Sequence, residues 1–418
     1  MLLAGFLLRV GFVMSLPNRP LDGDEPDYVN SAVDIVQHGS FDKAVYYHVP
    51  PLVPILYSGV VLFFGKSFLA PRVLNCFLFF LISLVAFKFG QELAGKLAGF
   101  LCLMIVAIYP YFIFFSGYAM TETAATLVIP LALYFGVKSA KSPVSLNALL
   151  FGVLLAVSAL TRSASYLFIL AVPLVFLIAL GAKNIGWVKL TAIAVAGFMV
   201  LYLPWSFVNY RHFGKIIPSP TIGSGVMLYE TALRITMPDP EKRFEYFKDE
   251  IKHKYYYPPG GSDKDRLAGD EYLSREGKRI ILKNLDKYPS VVWTNFKRFW
   301  QFYPDAPEGG SSKRRGLLYE ILGLGSYGVL FPFMIIGAVI CFKRFRHLAV
   351  LYGFILYYTL VHSMLYGKLR YRLPLDPVLI AFAVAGITWL LKEYRPGWYK
   401  KMTVLAGCND SNFESGDK

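Results

Sequence analysis

Charge is scarce in this sequence. Only 17% of its 418 residues are Asp, Glu, Lys or Arg, while 55% are hydrophobic; a soluble protein of this size carries about 25% charged residues. That shortage argues against a soluble enzyme. Cysteine is scarce as well, with four residues in the chain. Cys76, Cys102 and Cys341 lie in apolar runs and Cys408 near the C-terminus, at no spacing that suits a metal site or a disulfide framework. Strand-like alternation is missing, which argues against a membrane β-barrel. No soluble basic module stands out, so nucleic acid is not an expected partner.

What is abundant is apolar sequence, with a mean hydropathy of +0.46. Runs near the ~20 residues needed to cross a bilayer recur along the chain. They define an all-α polytopic membrane protein with about ten spans, drawn at 2–16, 71–90, 97–115, 122–138, 147–161, 165–181, 188–208, 318–342, 347–366 and 374–391. The first is short, interrupted by Arg9, and has neither a basic leader nor a small-residue cleavage site. It reads as a span rather than a removed signal peptide, and its shortness leaves room for a true start upstream of Met1. The run 52–64 follows Pro50-Pro51 and ends at Gly65; its 13 residues read as interfacial or re-entrant.

Charge orients the spans. The net charge is +15, and the basic residues cluster at span ends. With ten spans and a cytoplasmic N-terminus, the inner loops hold Lys88, Lys96, Lys138, Lys141, Lys183, Lys189, Lys343, Arg344, Arg346, Lys392, Arg395, Lys400 and Lys401, as positive-inside bias requires. Four regions follow: a first transmembrane part, 1–209, with a catalytic outer loop at 17–51; an extracytoplasmic loop domain, 210–316; a second transmembrane part, 317–395; and a cytoplasmic tail, 396–418, expected to be disordered. The loop domain holds 20 Lys/Arg and 14 Asp/Glu, a net of +6. Leu273, Ile280, Ile281, Leu285 and Tyr288 share one helical face there. Pro289 breaks that helix, and Val292, Trp293, Phe296, Phe299, Trp300 and Tyr303 form an aromatic stripe on the next. The stripe suits an interfacial anchor or a groove wall for lipid or acceptor.

Against this background the run LDGDEPDYVN, with Asp22, Asp24, Glu25 and Asp27, needs a reason. Pro26 suits a first helical position, Glu25 the N-cap, and Gly39 a stop after His38. Tyr28, Val29, Ala32, Val33 and Val36 make one apolar stripe. An amphipathic helix over 26–38, lying on the outer membrane surface, is predicted. Asp24 and Glu25 sit at its N-terminus, where the helix dipole favours negative charge. They read either as a general base or as simple caps. Glu122, at the outer end of a span beside Thr121 and Thr123, is a second candidate acid, because ionisable groups at a span edge are functional candidates. Arg72, Arg162, Arg370 and Arg372, with Lys368, fall on the same outer face against the positive-inside trend. Guanidinium groups suit phosphate binding, and His48 could assist; lipid headgroups or loop acids could equally occupy them. Acids and arginines together suggest that a base deprotonates an acceptor hydroxyl, which displaces a lipid phosphate from a sugar's anomeric carbon. Cationic groups would stabilise the leaving anion, and a single displacement inverts the centre. Acids on a membrane face could also hold a divalent cation, but no ligand spacing demands one, and no cofactor is predicted. The alternative is a transporter or flippase of lipid-linked sugars. Such proteins put polar groups at mid-membrane on broken helices, often in repeated halves; here the acids lie at the edge and no repeat is visible.

The motifs resemble those of the GT-C superfamily of polytopic glycosyltransferases, which includes protein O-mannosyltransferases and aminoarabinose transferases. The resemblance covers roughly 6–392. It rests on Arg9 in the first span, then GDEPDYVNSAVDIVQHGSF, HVPPLVPILYSGVVLFFGKSFLAPRVLN, YPYFIFFSGYAMTETAATL, ALTRSAS, PWSFVNYRHFGKIIP and RYRLPLDPVLI, in that order. It implies a polyprenyl-phosphate sugar donor, a lipid, glycan or protein acceptor, and a site on the extracytoplasmic face of the cell membrane. By motif, Asp24 is implied as base with Glu25 beside it, Glu122 as second acid, and Arg370 and Arg372 near the phosphate. The chain departs from many relatives in three ways. Val49 stands where they have Lys before the paired prolines, Val208-Asn209 where they have Arg-Asn, and few spans follow the long loop. Acceptor recognition is therefore expected to rest on 210–316.

Overall fold

The computed structural model describes residues 1–21, 23–39, 49–219, 221–256, 261–303 and 317–407; His48, Asp22 and the last eleven residues lie outside that set. Among the described residues the chain is helical and has no strand. The helices are α1 (Leu2–Met14), α2 (Glu25–His38), α3 (Leu52–Phe64), α4 (Leu69–Ala94), α5 (Lys96–Ile108), α6 (Pro110–Ser116), α7 (Thr121–Lys141), α8 (Ser145–Thr161), α9 (Val172–Leu180), α10 (Gly186–Phe213), α11 (Ser224–Thr236), α12 (Pro240–Tyr246), α13 (Asp263–Lys283), α14 (Tyr288–Phe299), α15 (Leu317–Gly323), α16 (Val329–Cys341), α17 (Phe345–Met364), α18 (Leu369–Arg372), α19 (Asp376–Tyr394) and α20 (Pro396–Leu405). A 3-10 segment, Ser163–Ala171, leads into α9.

Each of the ten spans drawn from sequence meets a helical segment. Among the described residues, by length and composition alone, six stretches are long and apolar enough to cross a membrane. A seventh is α5 plus α6, bent by 48° at Tyr109-Pro110. Proline disfavours helical geometry in the residue before it, and Tyr109 is extended (φ −64°, ψ 119°). The helices α1, α3 and α8 are shorter, at 13, 13 and 17 residues. The apolar stretch Glu320–Met364 runs for 45 residues, about 68 Å if straight. It instead turns back between α16 and α17 at Phe342–Arg344, where the Tyr352 hydroxyl donates to the Ala338 carbonyl at 2.6 Å.

The core is built around α19, whose residues Asp376–Gly386 are all buried. It packs against α16, α4 and α5. Lipid offers no hydrophobic drive for helix association, so close backbone contact at small residues takes its place. Gly337 of α16 meets the Phe382 carbonyl and Gly386 of α19; Gly152 of α8 meets Ala194 of α10; Gly90 of α4 meets Ala98 of α5. Arg9 is buried in α1, where its guanidinium donates to the carbonyls of Gly5 (2.8 Å), Ala107 (2.5 Å) and Val106 (2.8 Å). An arginine in an apolar helix is thus neutralised by carbonyl dipoles and ties α1 to α5.

Three expectations change. First, the N-cap of α2 is Asp24 and not Glu25, while Gly39 does end the helix in the left-handed region (φ 65°). Second, the apolar face of α2 packs on protein: Val29 and Ala32 join Val53, Tyr57, Val61, Phe68, Ala119 and Ala124 in one cluster. The same stripe would suit a membrane surface, and α3 competes successfully for it. Third, residues 396–405 of the tail form α20 rather than disordered chain.

The bundle has two distinct ends. At one, Glu92 pairs with Lys141 (2.8 Å) and Lys138 (3.6 Å). At the other, α4, α7 and α18 begin, and the loop helices α11–α14 sit. Leu273 of α13 packs there with Val226, Tyr229 and Leu233 of α11, and Ser262 and Asp265 form a reciprocal capping box at the start of α13. Helix α14 lies along α17 and α18. Arg234 donates to Asn295 at 2.7 Å, and Asn295 donates to the Ser363 carbonyl at 3.1 Å.

Candidate active site

Four of the residues singled out from sequence converge at the end of the bundle that carries the loop helices. Asp24 stands at the N-terminus of α2 with its side chain 56% exposed. Its Oδ2 accepts from an Arg370 Nη at 2.9 Å. The Nε of Arg370 lies 3.8 Å from Glu122 Oε1, and an Arg162 Nη lies 3.5 Å from the same oxygen. Glu122 is buried in the first turn of α7, and its Oε2 has no hydrogen-bond partner among the described residues. Arg162 ends α8 in extended conformation, and its guanidinium sits over the Tyr371 ring at 4.4 Å. Arg370 approaches the same ring at 5.3 Å. The result is an exposed carboxylate, a buried carboxylate and two guanidinium groups around one aromatic ring.

Glu25 and Arg72 occupy the wall behind Asp24. Both side chains are fully buried and ion-paired at 3.0 Å. Glu25 also accepts from the backbone N–H of Leu21 (2.5 Å) and Ala119 (2.7 Å). Arg72 also donates to the carbonyls of Pro17 and Arg19, each at 2.9 Å. The pair therefore ties the first loop, α4 and the turn before α7 together. Arg372 is likewise buried. It donates to Asp376 (3.1 Å) and to the Gln301 carbonyl (2.8 Å), and lies over Tyr327. Its partners lie at the end of α14 and in the core, whereas those of Arg370 are Asp24 and Glu122. His48 lies outside the described residues.

Three participants were not singled out. Tyr371 carries both guanidinium groups, and the run Arg370-Tyr371-Arg372 brackets it between cations. His362, in α17, stacks on Tyr371 (5.0 Å) and on Phe299 of α14 (5.5 Å). An ionisable residue inside an apolar helix was the signal that could have found it. Tyr28 was read only as part of an apolar stripe. Burial, then the charges of Asp24 and Glu122, hold its phenol well above the ordinary value, against the opposing pull of Arg370 and Arg162. It stays neutral and can donate a hydrogen bond beside the two acids. Among the described residues no three His, Cys, Asp or Glu side chains group to hold a metal ion.

Neither a protein-family model nor a curated protein matches the sequence. Solved structures do match. The oligosaccharyltransferase AglB from Archaeoglobus fulgidus, in complex with an inhibitory peptide and a dolichol-phosphate, superposes with a TM-score of 0.59 at 14% identity, over 98% of this chain and 52% of that one. The apo form of the Archaeoglobus fulgidus enzyme gives 0.58 at 15%, over 96% and 51%. AglB belongs to the GT-C superfamily. The chain has a GT-C fold. It spans about half the length of AglB. ArnT from Cupriavidus metallidurans, also a GT-C protein, matches with a TM-score of 0.45 at 12% identity, over 94% of this chain and 78% of that one. In this GT-C fold the acidic first loop and the start of α7 meet at one end of the bundle, with the residues before α19 closing the site.

Proposed function

We propose that this chain is a membrane glycosyltransferase. It moves a sugar from a polyprenyl-phosphate donor to an acceptor hydroxyl or similar group, by a single inverting displacement at the extracytoplasmic face of the cell membrane. The observation that carries the reading is the Asp24–Arg370–Glu122–Arg162 cluster: an exposed carboxylate next to guanidinium groups that a second, buried acid helps to hold. Asp24 is the general base. It takes the acceptor's proton as the acceptor oxygen bonds to the anomeric carbon, and the bond from that carbon to the phosphate oxygen breaks. The lipid phosphate leaves as an anion, so no acid is required. Arg370 and Arg162 stabilise the charge gathering on it. Glu122 orients both guanidinium groups. Glu25 and Arg72 position Asp24, and Arg372 with Asp376 fixes the segment that carries Arg370. The fold shared with AglB, which was solved with dolichol-phosphate bound, supports a lipid-phosphate donor.

Asp24→Asn is expected to lower transfer by about 10²–10⁴-fold, the usual contribution of a general base, with insertion and expression intact. Full activity in that variant refutes the base assignment. Among the described residues both acids face arginine; treatment with EDTA followed by add-back of a divalent ion tests whether transfer needs a metal, and activity that survives chelation assigns the chemistry to these side chains alone. The glycan inventory of a deletion strain, by mass spectrometry, names the donor sugar and the acceptor.

A further inference from the structure

The corner where α13 turns into α14 takes no part in the site. It nonetheless exposes three large apolar side chains: Leu282 is 67% exposed, Leu285 57% and Trp293 58%. Soluble surfaces keep such residues scattered; here Leu282 lies at the end of α13, Leu285 in the turn and Trp293 in the second turn of α14. The corner's height is fixed by a hydrogen bond. The Tyr288 hydroxyl donates to the carbonyl of Met364, the last residue of α17, at 2.7 Å. That helix belongs to an apolar stretch of membrane-crossing character. Its exposed residues Leu356, Leu360 and Met364 recur every fourth position and so form one stripe along the helix. The corner therefore continues, at the end of α17, the same outward apolar surface. Its charges fit one partner. Between 278 and 297 the sequence carries Lys278, Arg279, Lys283, Lys287 and Lys297 against Asp286 alone. Trp and Leu flanked by lysines, at the height where a helix leaves the apolar slab, match the boundary between acyl chains and anionic headgroups.

We propose that the α13–α14 corner is a lipid-docking surface: Leu282, Leu285 and Trp293 enter the leaflet on the site side, and the surrounding lysines bind anionic phospholipid headgroups. Docking holds α14 against α17 from the lipid side, opposite the Phe299–His362 stack that holds it from within. The inference rests on the helical packing and is independent of the transfer reaction.

The full chain carrying Leu285→Cys in a background with its four native cysteines replaced is labelled with an environment-sensitive fluorophore. It is reconstituted in phosphatidylcholine vesicles with or without phosphatidylglycerol, and a second sample carries the label at Glu241→Cys on the far part of the loop. The expected result is blue-shifted emission at 285, quenched several-fold by lipids brominated near the headgroup, and more strongly with phosphatidylglycerol. Lys283→Gln with Lys287→Gln is expected to abolish the phosphatidylglycerol dependence, and the label at 241 to emit as in water. Trp293 fluorescence, taken as the difference from Trp293→Phe, is expected to follow the same quenching without any label. Water-like emission at 285 that ignores brominated lipid overturns the proposal. So does equal quenching at 241, which makes the whole loop lie on the surface. Self-quenching that grows with protein-to-lipid ratio assigns the corner to a second copy of the chain and overturns it as well.

Discussion

Asp24 and Glu25 are adjacent carboxylates with opposite surroundings. One is largely exposed on Arg370; the other is sealed against Arg72 and two backbone amides. Removing one member of a buried pair leaves the other charge without compensation, at a cost of about 3–5 kcal/mol. Glu25→Gln is therefore expected to lower the thermal unfolding midpoint in detergent sharply, while Asp24→Asn, on an exposed pair, barely moves it. An unaltered midpoint in Glu25→Gln would show that the pair is not holding the first loop. Arg162 offers a second contrast. A guanidinium over an aromatic ring gains about 0.5–2 kcal/mol, so Tyr371→Leu is expected to slow transfer by roughly tenfold while Tyr371→Phe retains most of it. Equal loss in both variants would assign the effect to the hydroxyl rather than the ring. Position in the sequence pointed to Asp24 because helix-start signals are local: Pro26 and Gly39 bracket α2 within fifteen residues. Its partner Arg370 lies 346 residues away, and no local pattern records that meeting. Glu25 shared every local feature of Asp24, and only packing separates them.

Helices were legible from sequence wherever apolar length alone decides, as in α4, α7, α10 and α19. What covers an apolar stripe was not, because bilayer and protein ask for the same side chains. Val29 and Ala32 of α2 meet α3, whereas the stripe on α14 divides, with Phe299 in the core and Trp293 outside. Close helix crossings were invisible too, since a glycine in an apolar run looks like any other. Gly11 has open space where a side chain would begin, whereas at Gly337 the added carbon would fall on the Phe382 carbonyl. Gly337→Ala is thus expected to push α16 from α19 and to reduce the monodisperse fraction on size exclusion, and Gly11→Ala to leave it unchanged. Loss from both variants would point to glycine flexibility rather than to the crossing. In the loop domain, Asp270 accepts from the Val226 N–H at 3.0 Å, joining α13 to α11, and burial raises its carboxyl above the ordinary value. A raised folded value means stability that is full below the unfolded pKa and is lost as pH rises through the folded one. Asp270→Asn keeps the acceptor oxygen and removes the titration. Its midpoint is expected to match wild type in acid and to exceed it at neutral pH. A constant offset across that range would remove Asp270 as the cause.

At the scale of the whole molecule the two ends of the bundle differ in charge pattern, and the proposed sidedness rests on that difference. Lys138 and Lys141 meet Glu92 at one end. The Asp24–Glu122 cluster and the loop domain share the other, because α4 and α7 each run from site to lysines. Basic residues near short loops stay in the cytoplasm, whereas long loops cross with little regard to charge. The net +6 of 210–316 is therefore compatible with an outward site, and the proposed orientation rests on the lysines of the short loops. Single cysteines report it directly. In a background lacking the native cysteines, Lys215→Cys on the loop side is expected to react with a membrane-impermeant maleimide in intact cells. Lys141→Cys, equally exposed in the fold, is expected to react only after permeabilisation. The reverse pattern would turn the site toward the cytoplasm. The outward-facing donor would then be lost from the proposed reaction, although the geometry of Asp24, Arg370 and Glu122 would stand.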